Sequence, residues 1–174
     1  IYKPFRNIFL ILFSIMTTDI FVDGSALNNG KQNSVAGYGV FFPFHEHLSH
    51  GVKISDNKPS NNVGEIMACI SAIDTCEKSL PETRKITIYS DSEYTINSIT
   101  KWCATWEKNQ WRKSDKKEIK NRELIKDLWE KYKRLPIEFI HVRSHTKEPE
   151  NKDGIDYYRW YGNFMADKLA RDCL

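Results

Sequence analysis

The chain has 174 residues, of which 40% are hydrophobic and 28% are charged, and its net charge is +3. These values are those of an ordinary globular protein with one domain, and they exclude a disordered or fibrous chain. The charge is unevenly distributed, because residues 101–134 contain 12 Lys or Arg and only 6 Asp or Glu. The pattern predicts a basic face that binds a polyanion.

Within residues 1–16, IYKPFRNIFLILFSIM, the apolar run from Ile8 to Met16 is too short to span a bilayer. Lys3 and Arg6 ahead of the apolar run are typical of a targeting signal, but no small-residue cleavage site follows. We interpret 1–16 as an N-terminal extension outside a domain of residues 17–174, with secretory or organelle targeting as the alternative. The four cysteines form no CxxC pair and no zinc spacing, which favours an intracellular protein of the cytoplasm or nucleus.

The first half of the chain predicts three strands and a helix. Residues 19–25, 35–42 and 47–54 are strand-like and are separated by short turn-rich segments, so they should pair as an antiparallel meander. A helix then follows a capping segment that begins at Ser60, shows apolar residues at helical spacing and ends before Pro81.

The second half alternates strands with helices. The predicted elements are a strand at 85–90, a helix at 92–100, a helix at 118–133, a strand at 137–142 and a helix at 157–172. On the last helix, Phe164, Met165 and Leu169 are expected to face inward. This order predicts an α/β fold, with a mixed sheet and helices on its faces.

Four acidic residues occur on four separate predicted elements. They are Asp23 in a strand, Glu65 in the first turn of a helix, Asp91 at the end of a strand and Asp167 in the last helix. Taken singly, Glu65 and Asp91 could cap helices and Asp167 could be a solvated helix residue. Asp23 is the hardest to explain in that way, because an acid between apolar strand neighbours is costly. Together the four predict an oxygen cage for a hard divalent cation.

The strings that carry these acids also suggest a family. FVDGSA, NNVGEIMA, YSDSEYTINSIT and GNFMADKLA occur in an order and spacing that resemble type 1 ribonuclease H, the cellular form, over Thr17 to Leu174. The resemblance implies a ribonuclease H-like, five-stranded mixed sheet, with three antiparallel strands and then two parallel ones, flanked by helices. It also implies an endonuclease that hydrolyses the RNA strand of RNA/DNA hybrids and leaves 5′-phosphate and 3′-hydroxyl ends.

The resemblance assigns Asp23, Glu65, Asp91 and Asp167 as catalytic ligands of two Mg²⁺ ions, for which Mn²⁺ could substitute. His145 matches a histidine that helps to move protons or release product, although a surface loop histidine is the plain alternative. The family's short Gly-containing turn after this histidine is replaced here by residues 146–162. The resemblance therefore does not fix the position of His145.

Two groups of residues are expected to contact the substrate. Asn29, Asn61 and Asn62 would read the 2′-hydroxyl of RNA, although turn and cap chemistry would also explain them. In the Trp- and Lys-rich segment after residue 100, the resemblance implies a basic protrusion that holds the DNA strand, whereas packing in the core is the alternative for the tryptophans. The residues matched to the DNA channel and to a DNA phosphate pocket are Tyr94, Trp102, Trp106, Ser60 and Asn121.

Two other functions stay open at this point. One is a module that binds hybrids without cutting them, and the other is a DNA-cleaving nuclease or transposase of the same superfamily. The complete set of acids argues against a pure binder, because negative charge facing phosphate would only weaken binding. We expect a monomer whose partner is an RNA/DNA hybrid rather than a membrane.

Overall fold

The computed structural model describes residues 17–29, 31, 33–55, 59–115 and 117–174, so the predicted extension at 1–16 lies outside the described residues. The strands are β1 Thr17–Leu27, β2 Val35–Phe41, β3 His50–Ile54, β4 Lys85–Ser90 and β5 Ile137–His141. The helices are α1 Asn61–Ser79, α2 Glu93–Asn97, α3 Cys103–Lys108, α4 Arg122–Arg134 and α5 Ile155–Asp172. A π-helical turn, Ser98–Trp102, joins α2 to α3.

The five strands form one mixed sheet in the order β3-β2-β1-β4-β5. β1 pairs antiparallel with β2 and β2 with β3, whereas β4 lies parallel to β1 and β5 lies parallel to β4. The predicted sheet of three antiparallel strands followed by two parallel ones is confirmed.

Apolar side chains fill both faces of the central strand β1. Ile20 and Val22 belong to a large cluster with residues of α1 and α4, and Phe21 belongs to a second cluster that includes Ala166 of α5. This alternation follows from the two-residue period of a strand. Because helices cover the sheet on both faces, residues 20–24 of β1 are all buried.

Several predicted boundaries are wrong for local reasons. β3 begins at His50 rather than at residue 47, because Glu46–Leu48 form a 3-10 turn. α4 begins at Arg122 rather than at 118, since Glu118 forms a β-bridge with Arg112 and the backbone of Asn121 is left-handed, with φ 59°.

Two other helical regions are longer than predicted. The helix expected to end at residue 100 continues through the π-helical turn into α3, and α5 begins at Ile155 rather than at 157. Phe164 does not face inward as predicted, since 42% of its surface is exposed. Cys69, Cys76 and Cys103 are buried free thiols. Within the described part of the chain, no helix combines the length and the apolar character that crossing a bilayer requires.

Candidate functional site

The parallel register of β1 and β4 places Asp23 beside Asp91. The last pair in this ladder is Phe21 with Tyr89, and each aspartate follows two residues later on its own strand. Because side chains alternate along strands, both carboxylates project from the same edge and the same face of the sheet. Asp23 is 7% exposed, and Asp91 follows Ser90, which is fully buried.

Two glycines let the start of α1 approach β1 and bring Glu65 to the same place. A Cβ atom added at Gly24 would lie 2.5 Å from the backbone nitrogen of Glu65, and one added at Gly64 would lie 3.1 Å from the Cα of Gly24. Neither Cβ could be accommodated without moving the helix. Glu65 is consequently 3% exposed and lies against the strand that carries Asp23.

Three carboxylates converge at this point. Asp23, Glu65 and Asp91 each offer an oxygen atom, and these oxygens all lie within 4.8 Å of one another. Asp167 of α5 lines the same pocket as Asp23 and Asp91, but its Oδ2 forms an ion pair with the guanidinium of Arg171 at 2.7 Å. The structure thus brings together three of the four predicted acids closely and holds the fourth at the rim in an ion pair.

Burial and repulsion by neighbouring carboxylates raise the pKa values of two of these acids, Asp23 and Glu65. Burial, and then the charges of Asp91 and Asp167, raise the pKa of Asp23 to about 8. Burial, and then the charges of Asp23 and Asp91, raise the pKa of Glu65 well above its usual range. A nearby cation would relieve the repulsion and favour the ionised carboxylates.

The residues fit a divalent metal. All the donors are carboxylate oxygens, which hard cations prefer. Oε2 of Glu65 is buried and has no hydrogen-bond partner among the described residues, while Oε1 accepts from Nδ2 of Asn61 at 3.4 Å. A buried carboxylate oxygen without a partner is costly in a protein, and a bound cation would satisfy it.

His145 lies beside the acids despite the long segment that follows it. It lines the pockets that contain Asp23, Asp91 and Asp167, and its backbone adopts the left-handed region with φ 52°. A residue other than glycine rarely adopts that region, and where one does it marks a tight turn. This turn places His145 in the lining of the acid pocket.

Comparison with known proteins identifies the family. A family model described as RNase H matches residues 16–174. The chain belongs to the ribonuclease H family. Among curated ribonucleases H, that of Clostridium botulinum is 35% identical over 89% of this chain and 93% of its own length. That of Pseudoalteromonas atlantica is 37% identical over 88% of both chains. Human ribonuclease H1 is 31% identical over 88% of this chain but only 48% of its own length.

Solved ribonuclease H structures share the fold. The RNase H domain of PFV has a TM-score of 0.65 and 24% identity, and the match covers 89% of this chain and 92% of that domain. LC9-RNase H1, described as a type 1 RNase H with the type 2 active-site motif, has a TM-score of 0.65 and 21% identity over 90% of this chain and 71% of its own.

A ribonuclease H site also needs a groove for its substrate, and one side of the acids opens into such a groove. Asn61, Asn62 and Tyr94 line it together with the acids, in a cavity of about 540 Å³. Asn29 lies next to this group, since its Oδ1 accepts a hydrogen bond from the backbone of Asn61 at 3.4 Å. The asparagines predicted to read RNA therefore lie beside the acids.

The residues predicted to hold the DNA strand continue from Tyr94. Its ring lies 6.4 Å from that of Trp102, which lies 5.6 Å from Trp106. Trp102 is 39% exposed, whereas Trp106 packs partly against the core.

The predicted phosphate pocket shows two buried polar atoms without partners. Tyr94 donates its hydroxyl to the carbonyl of Lys120 at 3.1 Å, next to Asn121. Oγ of Ser60 and Nδ2 of Asn121 have no hydrogen-bond partner in the described chain. They do not line the acid groove itself, so their binding role stays a prediction.

The sequence analysis missed several residues at the site. Arg171 was not predicted, although its position one helical turn after Asp167 was a usable signal. Arg143, Trp160 and Phe164 also line the acid pocket. Trp160 lies within the predicted last helix, but no sequence signal indicated that its Nε1 would donate to the carbonyl of Thr146, next to His145.

Proposed function

We propose that this chain is an endoribonuclease that hydrolyses the RNA strand of RNA/DNA hybrids with two bound Mg²⁺ ions, leaving 5′-phosphate and 3′-hydroxyl ends. The observation that carries the proposal is the convergence of the Asp23, Glu65 and Asp91 carboxylates on a ribonuclease H fold. The curated relatives named ribonuclease H support the same activity.

The acids would hold the ions, and Asp167 would complete the set by exchanging its contact with Arg171 for a cation. Bound divalent ions supply charge neutralisation at the scissile phosphate and a more acidic water for in-line attack. Asp23 is central in this arrangement, because its pKa responds to both Asp91 and Asp167.

The neighbouring polar residues would choose and process the substrate. Asn61 and Asn62 lie in the groove with the acids, where their amides can hydrogen-bond the 2′-hydroxyl that distinguishes RNA from DNA. His145, in the lining of the pocket, would carry a proton to the departing 3′-oxygen. The Tyr94–Trp102–Trp106 row would support the DNA strand.

The test is a panel of end-labelled duplexes of one sequence: RNA/DNA hybrid, duplex DNA and duplex RNA, each with Mg²⁺, with Mn²⁺ and with EDTA. We expect cleavage of the RNA strand of the hybrid alone, with either metal but not with EDTA. Ligation of the products and their phosphatase sensitivity report the end groups. Hybrid binding without cleavage, or cleavage of duplex DNA, would overturn the proposal.

A further inference from the structure

A second aromatic surface lies on the outer side of α5. Tyr157, Trp160, Tyr161 and Phe164 follow one another at helical spacing and form one stripe, which we call the α5 stripe. Their rings contact in sequence: Trp160 stacks on Phe164 at 5.5 Å with an interplanar angle of 11°, and Tyr157 stacks on Tyr161 at 6.0 Å with 14°. Tyr157 and Trp160 join the two stacked pairs at 5.6 Å with a tilt of 35°, so the four rings form one aromatic surface on which other flat groups can stack.

The core accounts for only part of this stripe: the edge of the Tyr161 ring meets the buried Phe41 at 6.0 Å, and Tyr157 and Trp160 are half-buried. α5 packs on the sheet through its opposite face, where Ala166 and Ala170 are fully buried. Tyr161 and Phe164 are 38% and 42% exposed, which places them among the few large apolar side chains exposed in the described chain. Trp160 is held in position because its Nε1 donates to the carbonyl of Thr146 at 3.1 Å.

Cations border the α5 stripe. Arg143, Lys147 and Arg159 line a cleft of about 470 Å³ between the segment after β5 and the start of α5, with Asp156 as the one acid in its lining. None of the three cations forms an ion pair within the described ranges, and Nε of Arg159 is buried without a hydrogen-bond partner there. The cleft therefore favours a phosphate group.

This surface is continuous with the acid site. Arg143, Trp160 and Phe164 line the pocket that contains Asp23, Asp91 and Asp167. The groove with Asn61 and Tyr94 leaves the same acids without touching any of these three residues. A nucleic-acid strand that crosses the acids can thus leave them along the groove on one side and along the α5 stripe on the other.

We propose that the α5 stripe and its cationic cleft bind a single-stranded RNA tail that continues from the cleaved strand of the hybrid. Aromatic rings stack on unpaired bases, whereas the bases of a duplex already stack on one another, so the stripe fits a single strand. The cations would hold its phosphates. We assign the tail to the RNA strand because the cleaved strand is the one that passes over the acids. This assignment rests on the proposed function.

The experiment compares hybrids of one duplex sequence: a blunt hybrid, hybrids with a short RNA tail on the RNA strand at either end, and hybrids with a matching DNA tail on the DNA strand. Binding is measured by fluorescence anisotropy in EDTA, and KM is measured with Mg²⁺. We expect an RNA tail at one end to lower both Kd and KM by about fivefold or more.

Two variants and a control locate the effect. Trp160→Ala with Phe164→Ala should abolish most of the difference in Kd and KM between tailed and blunt hybrids. Arg143→Gln with Lys147→Gln should reduce this difference and weaken its dependence on salt. Phe44→Ala is the matched control, because Phe44 is a 65% exposed aromatic residue that lines neither acid pocket. It should leave the difference unchanged. Urea unfolding of each variant checks the fold, and Phe164→Ala alone replaces the double variant if that one is unfolded.

The outcomes separate the two proposals. Cleavage of the blunt hybrid with no gain from any tail overturns the α5 inference and leaves the proposed function intact. An equal gain from a DNA tail overturns the assignment to RNA. A tail-dependent gain in binding that depends on the α5 stripe, without cleavage of any hybrid, overturns the proposed function and supports the stripe as a single-strand surface.

Discussion

Asp23 shows what a buried carboxylate does to a protein before any cation binds. It is 7% exposed between Val22 and Gly24 of the central strand, and its pKa is raised to about 8 by burial and by the charges of Asp91 and Asp167. A raised pKa means that the folded protein favours the protonated acid. Ionisation of Asp23 therefore lowers the stability of the metal-free fold.

The sign of this effect gives a prediction for Asp23→Asn. In EDTA, the contribution of Asp23 to stability is greatest below its ordinary pKa of 3.8 and is lost as the pH rises towards about 8. The neutral amide removes that loss, so the variant should be more stable than the wild type at pH 8, by about 1–3 kcal/mol. The difference should shrink at pH 4.5.

Urea unfolding in EDTA at the two pH values measures this difference. Adding Mg²⁺ should stabilise the wild type and have little effect on the variant, because only the wild type keeps the full donor set. If the variant is less stable than the wild type at pH 8 in EDTA, then the metal-free protein stabilises the ionised Asp23 carboxylate without a cation, and the prediction is wrong.

Asp91 can be tested for function separately from stability, because it lies after its strand rather than within it. Asp91→Asn keeps the shape of the side chain but weakens its affinity for a cation. We expect kcat to fall by about a hundredfold or more, while hybrid binding in EDTA is unchanged or tighter because one repulsive charge is gone. Asp74→Asn, at a half-exposed acid on α1, is the control and should keep normal turnover. Near wild-type turnover of Asp91→Asn would remove Asp91 from the metal site.

Sequence alone identified the four acids, and it missed the partner of Asp167. Asp23 stands out because it interrupts an apolar strand, whereas Asp91 taken singly could be a helix cap. Arg171 looks like any other cation of a surface helix. Its spacing of one helical turn from Asp167 permits an ion pair, but only the fold shows that this pair borders the acids of the site.

At the scale of elements, the contact between α1 and β1 places Glu65. It depends on Gly24 and Gly64, and Gly24→Ala should therefore push the start of α1 away from the strand. We expect a loss of about 1–3 kcal/mol of stability, from a contact of 2.5 Å that cannot relax without moving backbone, together with weaker metal binding.

Gly154→Ala is the matched control for this prediction. A Cβ there would meet its nearest neighbour, Nδ2 of Asn151, at 3.3 Å, and that side chain can move. Thermal unfolding with and without Mg²⁺ compares the two variants. Equal stability of Gly24→Ala and the wild type would mean that the helix start adjusts freely.

The helical segment formed by α2, the π-helical turn and α3 gives another prediction. Trp102 is 39% exposed and in line with Tyr94 and Trp106, so Trp102→Ala should remove stacking area for the DNA strand. We expect KM for the hybrid to rise by about fivefold or more, with a smaller change in kcat. Trp102→Phe keeps a ring and should recover most of the affinity. An unchanged KM for the alanine variant would exclude Trp102 from the substrate channel.

Helix and strand types were predictable, and their ends were less so. The apolar stripe of α1 and the short strands followed from residue spacing, whereas the start of α4 was wrong because a β-bridge between Arg112 and Glu118 outweighs the helical preference of that segment. The π-helical turn at Ser98–Trp102 could not be predicted, since an extra residue in one turn reflects packing against α4 rather than composition.

At the scale of the molecule, charge is divided between a basic segment and an acidic remainder. Residues 101–134 carry the cationic excess, and the acids of the site lie outside that segment. Hybrid binding should therefore be sensitive to salt, and KM at constant Mg²⁺ should rise by about tenfold or more between roughly 50 and 200 mM NaCl. Lys101→Gln with Lys108→Gln should flatten this dependence, and Lys78→Gln, at the far end of α1, should not. A salt-independent KM would contradict a phosphate-binding role for this segment.

The order of the elements was enough to predict the sheet, because a meander followed by strand–helix units has few ways to pack. The path after β5 was less predictable. The sequence suggested a long insertion between His145 and Asn163, but two turns of it belong to α5. The aromatic spacing from Tyr157 to Phe164 was visible in the chain, and only the burial of the opposite helix face shows that these rings face outward.

The pairing of β1 with β4 also has a consequence for synthesis on the ribosome. Asp23 leaves the exit tunnel before β4 does, and it lacks Asp91 as a neighbour until the strand that ends at Ser90 has emerged and paired with its own. A nascent chain arrested before that strand therefore lacks the cluster of three carboxylates, and one arrested soon after it already holds three of the four acids.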